Sequence, residues 1–182
     1  MDRYELRLSG SGGQGLILAG KILAEAVVIY DQRNAVQTQS YGPEARGGAS
    51  KAEVVISDGE IDYPKATNLD LLLSLTQESC RKYSCDLKKG GILIIDSKAV
   101  TEIPEGEYKL YRAPISDIAV ESVGKAVVTN IVALGILTKI AGVVSEEAVR
   151  KAILAKVPRG TEELNMKAFD AGLKTGEELL AS

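Results

Sequence analysis

Polar and apolar residues alternate over residues 5–9, the two-residue period of a strand with one face in a core. The period becomes helical over residues 16–30, where Leu18, Ile22, Leu23, Ala26 and Ile29 fall on one side. Strand patterning returns at residues 34–40 and again at 50–57. Residues 69–75 are almost wholly apolar, as in a strand covered on both faces. A short helix is predicted over 77–83, then a turn at Gly90-Gly91 into a second apolar strand, 92–96. Residues 108–113 read as a sixth strand, at the sheet edge. From Ile115 onward the pattern is helical, with long stretches at 120–142, 145–157 and 161–181. Ser145-Glu146-Glu147 opens one of these with a side-chain cap and acids that suit the helix dipole.

Strands separated by helical crossovers predict a three-layer, Rossmann-like α/β fold with a mainly parallel sheet and a helical C-terminal portion. The two strands at 34–40 and 50–57 have no helix between them, which predicts some antiparallel pairing. The 182 residues contain no solenoid-period repeat and no low-complexity linker, so one domain spanning 1–182 is expected.

Composition removes several functions. A net charge of −3, one Phe and no Trp give no reason to expect a nucleic-acid partner. Charged Asp2, Arg3 and Glu5 lead straight into strand-like sequence rather than a signal peptide. The longest apolar region, 126–144, contains Thr129, Asn130 and Lys139 and is expected to be a buried core helix, not a membrane span. The chain reads as cytoplasmic. It has no His and only Cys80 and Cys85, too few ligands for zinc or an iron–sulfur cluster. Both cysteines are expected to be reduced thiols, and any redox cofactor is expected on another chain.

The chemistry concentrates in two motifs. The first is Gly10-Ser11-Gly12-Gly13-Gln14-Gly15, between the first strand and the first helix, where backbone N–H groups commonly meet an anion. It fits the dinucleotide pattern through Gly10, Gly12 and Gly15. The second strand, however, ends at Ser40 without the acid that would hold a ribose, Asp31 falling before it and Glu44 after it. A phosphate loop would need Lys-Ser/Thr after its last glycine, and Leu16 stands there. Glycines that only let helix and strand pack closely are the structural alternative. Four glycines with Gln14, which can both donate and accept, favour contact with a ligand or partner.

The second motif is Tyr41-Gly42-Pro43-Glu44-Ala45-Arg46-Gly47-Gly48. It offers a ring, a carboxylate and a guanidinium in which Glu44 can hold Arg46 toward a phosphate or carboxylate, or simply pair with it at the surface. If the strand before it runs parallel to the first strand, both motifs line one crevice.

These two motifs, with Ala19-Gly20, Ile56-Ser57-Asp58 and Ile61-Asp62-Tyr63-Pro64, resemble the gamma subunit of 2-oxoacid:ferredoxin oxidoreductases over essentially the whole chain. Gln37 to Glu44 resembles the 2-oxoglutarate branch; pyruvate-type subunits tend to carry a histidine where this chain has Ser9 and a Phe-Gly loop where it has Tyr41-Gly42. The resemblance implies a subunit inert alone, within a complex that converts a 2-oxoacid and coenzyme A to acyl-CoA and CO2 while reducing ferredoxin. It implies alpha, beta and in some complexes delta partners, with thiamine diphosphate between alpha and beta and the iron–sulfur clusters in beta or delta. Gly10, Ser11, Gly12, Gly13, Gln14 and Gly15, with Tyr41, Gly42, Glu44, Arg46, Gly47 and Gly48, would then face coenzyme A or partner subunits. A free-standing Rossmann-like nucleotide-binding module, or a pyruvate or branched-chain version of the complex, are the alternatives.

Overall fold

A computed structural model describes residues 1–40 and 48–182. Six strands form one sheet in the order β2-β3-β1-β4-β5-β6, with β1 Tyr4–Ser11, β2 Asn34–Ser40, β3 Ala49–Ser57, β4 Leu69–Ser74, β5 Leu87–Asp96 and β6 Lys109–Ala113. Strands β1, β4, β5 and β6 are parallel, while β3 is antiparallel to both β1 and β2. The helices are α1 Leu16–Glu25, α2 Gln77–Tyr83, α3 Ile115–Val123, α4 Thr129–Ala141, α5 Glu146–Lys156 and α6 Glu162–Ala181. The mainly parallel sheet, its antiparallel pair and the helical C-terminal portion all follow the sequence pattern.

Strand periodicity explains the layers. Leu6, Leu8, Leu71, Leu73 and Ile94 face the larger core, formed with α1, α3, α4, α5 and α6. Leu69, Leu72, Leu93 and Ile95 face the opposite way, against Cys80 and Tyr83 of α2. Leu71, Leu72 and Leu73 thus enter alternate cores, and Asp70 and Ser74 are buried with them, so no residue of β4 faces solvent. Helices α4 and α6 meet closely because both carry glycine at the crossing: a Cβ on Gly135 would lie 2.5 Å from the Phe169 carbonyl oxygen and 2.9 Å from Gly172 Cα. Ser145 caps α5 as expected, its hydroxyl accepting from Ala148 N at 3.1 Å.

Three boundaries differ from the sequence expectation. The helix from Leu16 keeps α geometry only to Glu25; Ala26–Tyr30 forms a wider π turn, with Asp31 N donating to Ala26 O at 3.0 Å. The stretch 120–142 is two helices, because Gly124 adopts φ 84° and ends α3, with Gly124 N donating to Val120 O at 2.9 Å. The apolar period runs on across this break, through a 3-10 turn at Ala126–Val128, since both helices bury residues in the same core. Gly90-Gly91 lies inside β5 rather than before it: the register with β4 jumps from Leu69↔Leu87 to Leu71↔Ile92, a bulge that glycine eases.

Candidate functional site

The glycine motif leaves β1 at Ser11 and enters α1 at Leu16, at the carboxyl ends of the parallel strands. Gln14 closes the turn from within: Ser11 N donates to Gln14 Oε1 at 2.7 Å. A Cβ on Gly10 would run into that same amide oxygen, so a larger residue there would push Gln14 out of its turn-closing position. Gly15 has φ 72° and sits against Asn130, whose Nδ2 would be 2.5 Å from an added Cβ. Asn130 Nδ2 also donates to the Gly15 carbonyl oxygen at 3.0 Å, tying the turn to the first residues of α4. Gly13 needs its glycine for φ 88°.

Gly12 differs from all of these. It is exposed and has no positive φ, and among the described residues a Cβ there would meet nothing within 4 Å. Backbone conformation and packing therefore account for Gly15, whereas no described residue requires a glycine at Gly12. Beside it α1 begins without a side-chain cap and without an acid in its first turn. Its first N–H groups have no intrahelical partner and carry the positive end of the helix dipole. Gly13 and Gln14 open onto a depression of about 320 Å³ completed by Ser116, Asp117, Val120, Ala126, Val127 and Thr129. Val120 and Val127 keep 52% and 76% of their surface exposed, two apolar side chains beside the polar Ser116, Asp117 and Thr129.

One residue that the sequence did not single out sets the position of this shoulder. Asp96, at the carboxyl end of β5, is fully buried and accepts from Lys98 N and Ser116 N, each at 3.0 Å, and from the Ser116 hydroxyl. It caps the start of α3 from a neighbouring strand. An acid ending an apolar strand is the signal, although nothing local distinguishes this bracing role from a catalytic one.

The second motif falls largely outside the described residues, which include Gly48 but not Tyr41, Gly42, Glu44, Arg46 or Gly47. Its two attachment points are placed. Because β3 is antiparallel to both, β2 runs parallel to β1. Ser9, Lys51 and Ser40 share one register row, and Ser11 lies opposite Ala49. Strand β2 therefore ends at Ser40, and β3 begins at Ala49, on the edge that carries the glycine turn. The condition for a shared crevice is met at both anchors.

Behind this edge, on the α2 face, lies a charged cluster. Arg7 is 3% exposed; its Nε donates to Glu53 Oε1 at 2.8 Å, its Nη2 to Ala66 O at 3.1 Å, and its guanidinium pairs with Asp86. Glu53 also accepts from Lys51 Nζ at 2.7 Å and from the Thr38 hydroxyl at 3.2 Å. Arg7 stacks over the Tyr83 ring at 5.0 Å. Burial tends to raise the Glu53 carboxyl, but the Lys51 hydrogen bond and the Arg7 and Lys51 charges outweigh it and hold the group below its ordinary value.

The topology also weakens the dinucleotide alternative. In a dinucleotide-binding sheet the second strand lies directly beside the first, bringing its terminal acid to the ribose. Here antiparallel β3 occupies that place, and Asp31 accepts from Ser145 N at 2.8 Å and from its hydroxyl at 2.6 Å.

Residues 5–175 match the family described as pyruvate ferredoxin/flavodoxin oxidoreductase. The chain belongs to that family. The 2-oxoglutarate synthase subunit KorC of Methanocaldococcus jannaschii is 51% identical, over 97% of this chain and 96% of its own length. The structure of a keto/oxoacid ferredoxin oxidoreductase gamma subunit from Geobacter sulfurreducens is 54% identical, covers 98% of this chain and 99% of that one, and superposes with a TM-score of 0.92. The ketoisovalerate oxidoreductase subunit VorA of Methanothermobacter thermautotrophicus is 31% identical over 95% of this chain, which spans 36% of that protein. These likenesses favour the 2-oxoglutarate branch over the branched-chain one.

Cys80 and Cys85 are unpaired with each other, and burial pushes the Cys80 thiol up, away from the reactive thiolate, against a smaller opposing effect of the Ser74 hydrogen bond. Among the described residues no three His, Cys, Asp or Glu side chains gather to hold a metal. Among them also, no helix is long and apolar enough to cross a membrane, and residues 129–141 form the buried α4.

Proposed function

We propose that this chain is the gamma subunit of a 2-oxoglutarate:ferredoxin oxidoreductase, working as one domain and catalytically inert alone. The complex would convert 2-oxoglutarate and coenzyme A to succinyl-CoA and CO2, passing the two electrons released to ferredoxin. Thiamine diphosphate, held by partner subunits, would supply the decarboxylation chemistry, and iron–sulfur clusters in those subunits would carry the electrons. Alpha and beta chains, with delta in some complexes, are the partners, and the cytoplasm is the proposed compartment.

The role of this chain is to present a surface. Gly12 carries that reading: a bare, exposed position where no described residue requires glycine, beside the uncapped start of α1. An absent side chain lets an external group approach the backbone, and unpartnered N–H groups with a favourable dipole suit the phosphates of coenzyme A or a partner's carbonyl groups. The exposed Val120 and Val127 beside it suit an apolar partner surface. The anchors at Ser40 and Ala49 support the same role for Tyr41, Gly42, Glu44, Arg46, Gly47 and Gly48.

Reconstitution with alpha and beta chains tests this. Ferredoxin reduction dependent on 2-oxoglutarate and coenzyme A is expected only from the complete assembly; full turnover by this chain alone overturns the proposal. Gly12→Leu should leave folding intact and either weaken assembly or raise the coenzyme A KM by tenfold or more. Wild-type values for both would remove Gly12 from the site.

A further inference from the structure

The outer strands of the sheet are built differently. Strand β6 carries Lys109 and Arg112, charges of the kind that discourage another strand from pairing at an edge. Strand β2, Asn-Ala-Val-Gln-Thr-Gln-Ser, is seven residues long with neither a charge nor a proline. Among the described residues it pairs with β3 alone, so over residues 34–39 its other row of N–H and C=O groups faces away from the sheet.

Along the first half of this edge runs a groove of about 480 Å³ lined by Val28, Asn34, Ala35, Val36, Ile61 and the two acids Glu60 and Asp62. Val28 and the adjoining Ile29 are 42% and 60% exposed, turned outward on the π turn that follows α1. Glu60 and Asp62 are exposed and take part in none of the described ion pairs, whereas nearby Asp58 is held by Arg33 at 2.6 Å and by the N-terminal ammonium at 2.5 Å. An uncharged strand edge, an apolar floor and two unmatched carboxylates therefore occur together. They lie at the end of β2 away from the glycine turn.

We propose that this edge receives an extended segment of another subunit, which adds to the sheet as a further strand beside β2. The complementary segment is apolar where it crosses Val28 and Ile61 and carries Lys or Arg opposite Glu60 and Asp62. Main-chain hydrogen bonds supply attachment, while the groove and its charge select the segment. The inference rests on reading the chain as a subunit of an assembly, and it gives that assembly a second contact remote from the glycine turn.

Hydrogen exchange on the reconstituted complex tests it directly. The outward amides of β2 should exchange at least tenfold more slowly in the complex than in the isolated chain. The double variant Glu60→Lys with Asp62→Lys, at exposed positions, should leave the melting temperature of the free chain near wild type. The same variant should raise the dissociation constant of the complex at least tenfold. An active complex in which β2 exchanges as in the free chain overturns this inference and leaves the functional reading standing. Wild-type affinity of the double variant overturns it equally. Sedimentation in which the isolated chain dimerises and already protects β2 assigns the edge to a second copy instead. Failure to assemble with alpha and beta chains at all removes the functional reading and this inference together.

Discussion

Arg7 and Gly12 lie five residues apart, yet the protein uses the polar groups around them in opposite ways. Around Arg7 the charges are turned inward: guanidinium, carboxylates and ammonium satisfy one another beneath α2. Around Gly12 the backbone is left exposed, with no described side chain within 4 Å of an added Cβ and no acid in the first turn of α1. A closed cluster holds strands in register, because a buried charge is tolerable only beside its partners. An open turn contributes little to folding and is free to serve a ligand. The difference teaches which polar residues of this edge belong to stability and which to function.

The largest effect that could break this comparison lies in the cluster. Glu53→Ala strips Arg7 and Lys51 of their shared carboxylate and should cost about 3 kcal/mol, the low end for a broken buried pair because Asp86 remains. Urea unfolding measures this, and a loss below about 1 kcal/mol would mean that the cluster is not structural. The same group sets a pH dependence. Since the Glu53 carboxyl is held below its ordinary value of 4.5, its stabilisation is complete above that value and disappears as pH falls through the lower folded one. Unfolding curves from pH 7 to pH 3 should therefore fall more steeply for wild type than for Glu53→Gln, and parallel curves would contradict the assignment.

Effects should shrink toward the turn. Gly15→Ala forces a side chain into φ 72° and against Asn130, for a loss of about 2 kcal/mol. Asn130→Ala removes a single clamp on the Gly15 carbonyl and should cost about 1 kcal/mol. Gly12→Leu should change stability by less than about 0.5 kcal/mol while producing the loss in assembly or coenzyme A use. Thermal melts of the three variants order them. A Gly12 variant as unstable as the Gly15 variant would erase the distinction between the two glycines.

Much of the fold was legible because period and turn chemistry act over a few residues. The strand at Asn34–Ser40, the short helix at Gln77–Tyr83 and the Ser145 cap appear where the pattern places them. The break at Gly124 was hidden, since two helices burying residues in one core keep up the rhythm of a single helix. The glycine turn was visible as a motif, but the separate reasons for its glycines were not. Gly10 and Gly12 look equivalent in sequence; one lies against Gln14, and the other meets none of the described residues.

Apolar spacing alone determined the alternation of strands and helices, the doubly buried β4 and the antiparallel excursion between β1 and β4, because these depend on each residue's near neighbours. The tertiary structure decided what remote residues do to one another. It set β3 between β1 and β2, in the place where a dinucleotide fold would hold its ribose acid. It brought Asn130 to Gly15 across 115 positions and set β2 at the rim of the sheet. Such contacts join surfaces whose residues are far apart along the chain, and only the folded arrangement of layers brings them within bonding distance.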